Sequence, residues 1–318
     1  MRDGARRART ADLLGAIQAL SQLSYSPATT DCSVVSPYDD PVRAVVLDAE
    51  GQPRLAEIEA PEPSARVLAA GLCGSDVEKL GRAPAGTVLG HEVVVSVGGE
   101  RLALVHHRPC GQCERCRAGH ESTCERFPEA TIVPGGFAER VAIGDGVALP
   151  DDLDDARGTM VEPLACVLRG AERVPRGRVL VVGQGFIGRL FSLVLAQRGD
   201  DVFAVDSDPR RAGRAPDGPV AAAVVCAAGA GAAALEALEP GGTLLVFADA
   251  GPLPAELVYR RELTVVGSRS ATPESMRDAV ALLPELDVPE PVVLPLERFA
   301  EGLDLFLRRE ALKVVFVP

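Results

Sequence analysis

Val179-Leu-Val-Val-Gly183-Gln-Gly185-Phe-Ile-Gly188 is the stretch that decides the fold. Its apolar start reads as a strand buried on both faces, the kind found in parallel sheets. The glycines fall at G-x-G-x-x-G spacing, and an apolar helical pattern continues to about Arg198. Such a loop allows a tight turn, a close approach of backbone to a pyrophosphate, and an anion at the helix N-terminus. The motif alone is weak, since an ordinary turn between strand and helix also uses glycine. Here the context supports it. The next strand, Val202-Phe-Ala-Val205, ends in Asp206, the acidic position that accepts hydrogen bonds from a ribose 2′-hydroxyl. A carboxylate there repels a 2′-phosphate, so NAD is favoured over NADP.

Downstream, Ala222–Cys226, Thr243–Phe247 and Leu263–Val266 read as further strands, with an alanine-rich helix and a Pro240-Gly-Gly turn between the first two. Pro273 to about Leu283 reads as a helix. The segment Ser207–Val220 contains Pro209, Gly213, Pro216, Gly218 and Pro219, which suit a crossover helix poorly. The third strand of the first mononucleotide half is therefore expected to be missing. In the order 3-2-1-4-5-6 that strand lies at the sheet edge. Its loss leaves the fold standing but uncovers the adenosine side of the cofactor site. A last unit, helix Leu296–Arg308 and strand Leu312–Val317, carries no cofactor motif and is read as a return to the first domain.

From Val42 to about Asp155 the chain shows short β-like runs, Ala44–Leu47, Val93–Val97, Leu102–Val105 and Ala138–Ile143, between glycine and proline turns. This is a compact, mostly β domain. Asp151–Met160 begins a helix that leads out of it. Inside lies Cys110-Gly-Gln-Cys113-Glu-Arg-Cys116, followed after seven residues by Cys124. Two-residue gaps turn neighbouring thiolates onto one ion, and the longer gap closes a tetrahedron. Four sulfurs leave no open position, so the site is structural zinc. Reduced core cysteines are the alternative, but Gln112, Glu114, Arg115, Arg117 and Glu121 are too polar for a core.

The balance of charge narrows the function. With a net charge of −12 over 318 residues, the chain is a poor partner for nucleic acid, which wants clustered Lys and Arg. No run has the length of a membrane span. Cysteines at metal spacing without a secretion signal point to a reducing cytoplasm. Residues 1–41 differ in composition: Arg2, Arg6, Arg7 and Arg9 precede a mildly apolar segment, Leu13 to Leu23. They are expected to form a disordered or spurious extension, with Val42 a possible true start.

Three more residues and a carboxylate complete a second metal-binding set. Cys73 lies in Gly-Leu-Cys-Gly-Ser-Asp, His91 and Glu92 in Gly-His-Glu, and Glu162 in Val-Glu-Pro-Leu-Ala. A thiolate, an imidazole and carboxylates suit a zinc site that keeps room for a substrate oxygen.

These motifs, with Gly135-Gly-Phe-Ala-Glu139, His106-His-Arg-Pro-Cys110 and Val266-Gly-Ser-Arg269, make residues 42–318 resemble the zinc-dependent medium-chain dehydrogenases, and within them the sorbitol (polyol) dehydrogenase branch. The resemblance implies an α/β protein with a GroES-like β domain (42–155), a Rossmann doubly wound parallel sheet for NAD (156–285, here trimmed) and a C-terminal return to the catalytic domain (286–318). It implies two zinc ions per chain. Cys73 and His91 would bind the catalytic one, with Glu92 and Glu162 as direct or water-mediated ligands. Ser75 would take the alcohol's proton first. Gly183, Gly185, Ile187 and Gly188 would hold the cofactor's phosphates, Asp206 and Arg211 its adenosine ribose, and Ser268 and Arg269 would lie near the nicotinamide. The substrate would be a small alcohol or polyol, and the assembly a homodimer or homotetramer.

Two departures bear on chemistry. Relatives often carry a relay histidine five residues after the zinc cysteine, where this chain has Glu78. If desolvated, Glu78 serves as the relay base; if it faces water, the proton leaves through solvent. The trimmed sheet motivates a rival in which a degenerate member binds zinc or nucleotide without turnover, but the intact ligands argue against decay. Another rival keeps the fold and oxidises an amino-alcohol or cyclitol. The same ligands exclude a zinc-free quinone reductase.

Overall fold

In the computed structural model, which describes residues 41–126 and 132–318, the chain enters its first strand at Val42. The extension expected over 1–41 falls outside the described residues, except for its last position. Strand β1 (Val42–Leu47) pairs antiparallel with β2 (Pro53–Ile58) as a hairpin. Then come β3 (Ser64–Gly71), the one-turn helix α1 (Gly74–Val77), β4 (Glu92–Val97) and β5 (Glu100–Leu104). The cysteine lobe contributes α2 (Glu114–Arg117), and two short strands follow, β6 (Arg140–Ala142) and β7 (Gly146–Ala148). The run expected as a strand over Ala138–Ile143 is thus shorter; Ala138 makes only an isolated bridge to Ala44.

Helices α3 (Asp155–Gly158) and α4 (Val161–Ala171) lead into a second sheet. Its elements are β8 (Arg178–Val182), α5 (Phe186–Gln197), β9 (Asp201–Val205), β10 (Val220–Val225), α6 (Gly231–Glu236), β11 (Leu238–Val246), α7 (Ala255–Arg260), β12 (Thr264–Gly267) and α8 (Pro273–Leu282). The five strands are parallel, in the order β12-β11-β10-β8-β9. This is a doubly wound sheet lacking the third strand of its first half, as the prolines and glycines of 207–220 imply. The strand β11 begins earlier than expected and contains Pro240-Gly-Gly within its length rather than a turn before it.

The free edge of β9 is not left bare, which amends the expectation of an uncovered adenosine side. Gly213 donates to the carbonyl of Ala204 at 3.0 Å, and Ala204 donates to that of Arg214 at 2.9 Å. The guanidinium of Arg214 lies 4.1 Å over the Phe203 ring and is ion-paired with Asp201; Arg178 stacks on the same ring at 4.6 Å. A sheet edge needs pairing or cover, and the shortened connection supplies both.

The chain ends with β13 (Val292–Pro295), α9 (Phe299–Leu307) and β14 (Val314–Val317). Strand β14 pairs antiparallel with β3, Val315 opposite Gly71, and so completes a seven-stranded sheet ordered β13-β14-β3-β4-β5-β7 with β6 also on β3. Phe137, Phe299 and Phe316 cement this return, with ring centroids 4.6–5.6 Å apart. A second apolar core runs from Val94 and Ala103 of the β lobe through α4 to β8, α5 and α8. It fixes α4 between the two sheets.

Candidate active site

Cys73 is the N-cap of α1, so its side chain stands at the helix start. Asp76, one turn on and 1% exposed, closes the cap: its Oδ2 accepts from the Cys73 N–H at 3.1 Å. The other oxygen accepts from the Gly90 N–H at 3.2 Å and faces His91 Nδ1 at 3.2 Å. A carboxylate on Nδ1 fixes the imidazole and leaves Nε2 for an ion. Burial would raise the Asp76 carboxyl, but the adjacent His91 and the two amides hold it below the ordinary range. Burial likewise opposes charge on His91, yet Asp76 raises it well above its ordinary value. The sequence signal for Asp76 is its place, a carboxylate three residues after a ligand cysteine.

The ligand atoms of Cys73, His91 and Glu92 lie within 4.8 Å of one another. Ser75 Oγ sits 3.4 Å from Cys73 Sγ and 3.5 Å from His91 Nε2. Glu92, 1% exposed, forms an ion pair through Oε2 with Lys313 Nζ, which also donates to the Leu72 carbonyl at 3.3 Å. Lys313 is 2% exposed and lies 5.0 Å over the Phe186 ring. Gly71 makes room for the pair, since a Cβ there would meet Glu92 Oε2 at 2.3 Å. Sequence reading missed Lys313. Its signal was a single charge inside the otherwise apolar run Ala311–Val317.

Glu162 enters from the first turn of α4 and is buried. It stands outside the three-atom set, and its Oε1 accepts from Cys166 Sγ at 3.3 Å. Burial pushes its carboxyl up, partly offset by His91. The His106 ring packs 4.8 Å from that of His91, and burial drives its pKa down to about 3. Glu78 caps the end of α1 and is exposed. Of the two alternatives for this residue, the one resting on desolvation has no burial to draw on.

In the cysteine lobe the four sulfurs of Cys110, Cys113, Cys116 and Cys124 converge, with Sγ–Sγ separations of 4.0 Å (110 to 116) and 3.9 Å (113 to 124). Backbone amides point at them: Cys113 N–H at Cys110 Sγ (3.3 Å), and Cys110 and Arg126 N–H at Cys124 Sγ (3.4 Å each). The amides of Glu125 and Cys116 pull the Cys113 thiol down to about 6. The donor set and these amides suit a thiolate-bound zinc.

A cleft of about 350 Å³ joins the two lobes. Cys73, Glu92 and Lys313 line it together with Gly185, Ile187, Gly188 and Arg211. Two glycines of the loop behave as a dinucleotide turn requires. Gly183 has φ +94°, and a Cβ on Gly188 would fall 1.8 Å from the Gly183 carbonyl oxygen. Asp206 at the end of β9 accepts from the Gln184 N–H at 2.6 Å and the Asp208 N–H at 2.8 Å, one bond per oxygen. Each oxygen keeps a lone pair for a ribose hydroxyl. Arg211 reaches across to the carbonyl of Arg309. Ser268 follows β12 with a buried hydroxyl that has no hydrogen-bond partner among the described residues, a polar atom open to a ligand; Arg269 beside it is exposed. Loop and hydroxyl therefore fit a dinucleotide.

Residues 62–151 match the alcohol dehydrogenase GroES-like domain. The chain is 27% identical to L-galactonate-5-dehydrogenase of Escherichia coli K12 over 308 residues, covering 79% of this chain and 90% of that protein. It is 30% identical to D-altritol 5-dehydrogenase of Agrobacterium fabrum over 268 residues, covering 69% and 79%. The structure of acetophenone reductase from Geotrichum candidum in complex with NAD superposes with a TM-score of 0.78 at 17% identity, covering 89% of this chain and 98% of that one. Among the described residues no helix is long and apolar enough to cross a membrane.

Proposed function

Because the chain belongs to the zinc-dependent medium-chain dehydrogenases, in their sorbitol dehydrogenase-like branch, we propose that it oxidises a secondary alcohol of a polyol to the ketone with NAD as hydride acceptor. One observation carries the reading: Cys73 and Glu92 of the three-ligand cluster line the same cleft as Gly185 and Gly188 of the glycine loop. Cys73, His91 and Glu92 would hold the catalytic zinc, with Glu162 beside them, and the four cysteines a structural one. When bound, the zinc supplies Lewis-acid polarisation of the alcohol and the nicotinamide takes the hydride.

The chain's own residues have the remaining tasks. Asp76 orients His91. Ser75, exposed and within 3.5 Å of two ligand atoms, receives the alcohol proton and hands it to solvent. Lys313 compensates the buried charge of Glu92. Gly183, Gly185, Ile187 and Gly188 present α5 to the phosphates, with Asp206 and Arg211 at the ribose and Ser268 and Arg269 toward the nicotinamide. Asp206 sets the preference for NAD. The enzyme acts on a small alcohol or polyol in the cytoplasm as a dimer or tetramer, without nucleic acid or membrane. A panel of polyols and simple alcohols with NAD, followed by absorbance of the reduced cofactor, tests the reading. Turnover of several secondary polyols supports it; no turnover of any by zinc-replete protein refutes it.

A further inference from the structure

The two buried carboxylates of the site are held in different ways. Glu92 is paired with a cation, Lys313, just before the last strand of the chain. Glu162 is held by Cys166, four residues along the same helix, so the two side chains share one face of α4. The Cys166 thiol is a weak donor and the Glu162 carboxylate an acceptor only, which fixes the direction of the bond. Both residues are 8% exposed, and Cys166 packs in the core that locks α4 between the sheets. Helix and core thus fix the donor, and through it one oxygen of the acceptor.

We propose that Cys166 is a positioning residue for Glu162: its thiol occupies Oε1, keeps the carboxylate outside the Cys73–His91–Glu92 set, and leaves only the other oxygen for the metal centre. An anion that lost this donor would be free to turn both oxygens toward the ion. The proposal rests on the functional reading above, because it presumes a metal at that cluster. It also gives a thiol at the first turns of α4 a task other than filling space, which an isosteric apolar side chain would do as well.

The test uses the full chain loaded with Co²⁺, and competition for Zn²⁺ against a chelator of known affinity, on the parent and on Cys166→Ser, Cys166→Val and Cys166→Ala. Serine keeps a donor at that place, valine keeps the bulk without one, and alanine removes both. Loss of such an outer partner typically changes metal affinity or activity by about 10–100-fold. We expect Cys166→Val and Cys166→Ala to change the visible Co²⁺ spectrum and to shift Zn²⁺ affinity at the second site by about 10-fold or more, and Cys166→Ser to stay with the parent in both. A packing role alone would move melting temperature, most in Cys166→Ala, and leave the spectrum untouched. If the parent binds two ions and both donor-less variants keep its spectrum and affinity, the proposal is overturned while the functional reading stands. If the parent takes up only the four-cysteine ion, reading and proposal fall together.

Discussion

Lys313→Met is the perturbation whose size follows most directly from the structure. Methionine keeps the unbranched shape and most of the length of the side chain, but leaves Glu92, 1% exposed, without its counter-charge. Removing one member of a buried ion pair costs about 3–5 kcal/mol, because the remaining charge is neither hydrated nor paired. For a chain of this size with a urea slope of about 3 kcal/mol/M, the unfolding midpoint should fall by about 1–1.7 M. Unfolding in urea, followed by circular dichroism on chelator-treated protein, reads that shift. Adding Glu92→Gln to Lys313→Met removes both charges and should recover most of the loss, with a coupling of at least about 2 kcal/mol in the double-mutant cycle. Zinc should shrink the penalty of Lys313→Met, since a cation beside Glu92 replaces the missing ammonium. A Lys313→Met protein that unfolds at the parent's urea concentration would show that the pair is not compensating a buried charge.

Gly188→Ala should weaken NADH binding by more than about 10-fold in a fluorescence titration, because a Cβ 1.8 Å from the Gly183 oxygen must push α5 off β8; unchanged affinity would mean the loop is not the phosphate site. Glu78→Gln should keep turnover within about 2-fold, since the side chain is exposed; a loss of about 10²-fold, the scale of general base catalysis, would return Glu78 to the proton path. Asp206→Ala should narrow the preference for NAD over NADP in kcat/KM, and a parent enzyme equally efficient with both would contradict the role given to Asp206.

The parallel sheet was legible because β8, β9 and β10 are dense in valine and alanine and start after Gly177, Asp200 and Pro219. The trimmed half was legible for the opposite reason, a run of helix breakers where a crossover helix belongs. What stayed hidden lacked periodic signal. Strand β2 is half-buried to exposed along its whole length and carries Arg54 and Glu57. Strand β3 is mostly alanine, serine and glycine, and its strand state comes from its central place between β4, β6 and β14. At the site, ligands were legible because cysteine and histidine are scarce and their spacing is chemical. Asp76, Lys313 and Cys166 were not singled out, because each acts only through a neighbour that the fold brings to it. Lys313 meets Glu92 across 221 positions of sequence, a contact that no local pattern encodes. The cover over the β9 edge likewise depends on how 213–214 folds back, which composition does not show.

Cys73→Ser tests most directly whether the clustered ligands and the glycine loop form one catalytic centre. The measurement is NAD reduction with a polyol that the parent oxidises, alongside the zinc content and NADH affinity of the same preparations. The variant is expected to lose turnover by at least about 10³-fold, to hold one zinc per chain where the parent holds two, and to bind NADH as the parent does. Turnover at the parent's rate, with one zinc per chain in both proteins, would contradict a catalytic metal at Cys73, His91 and Glu92.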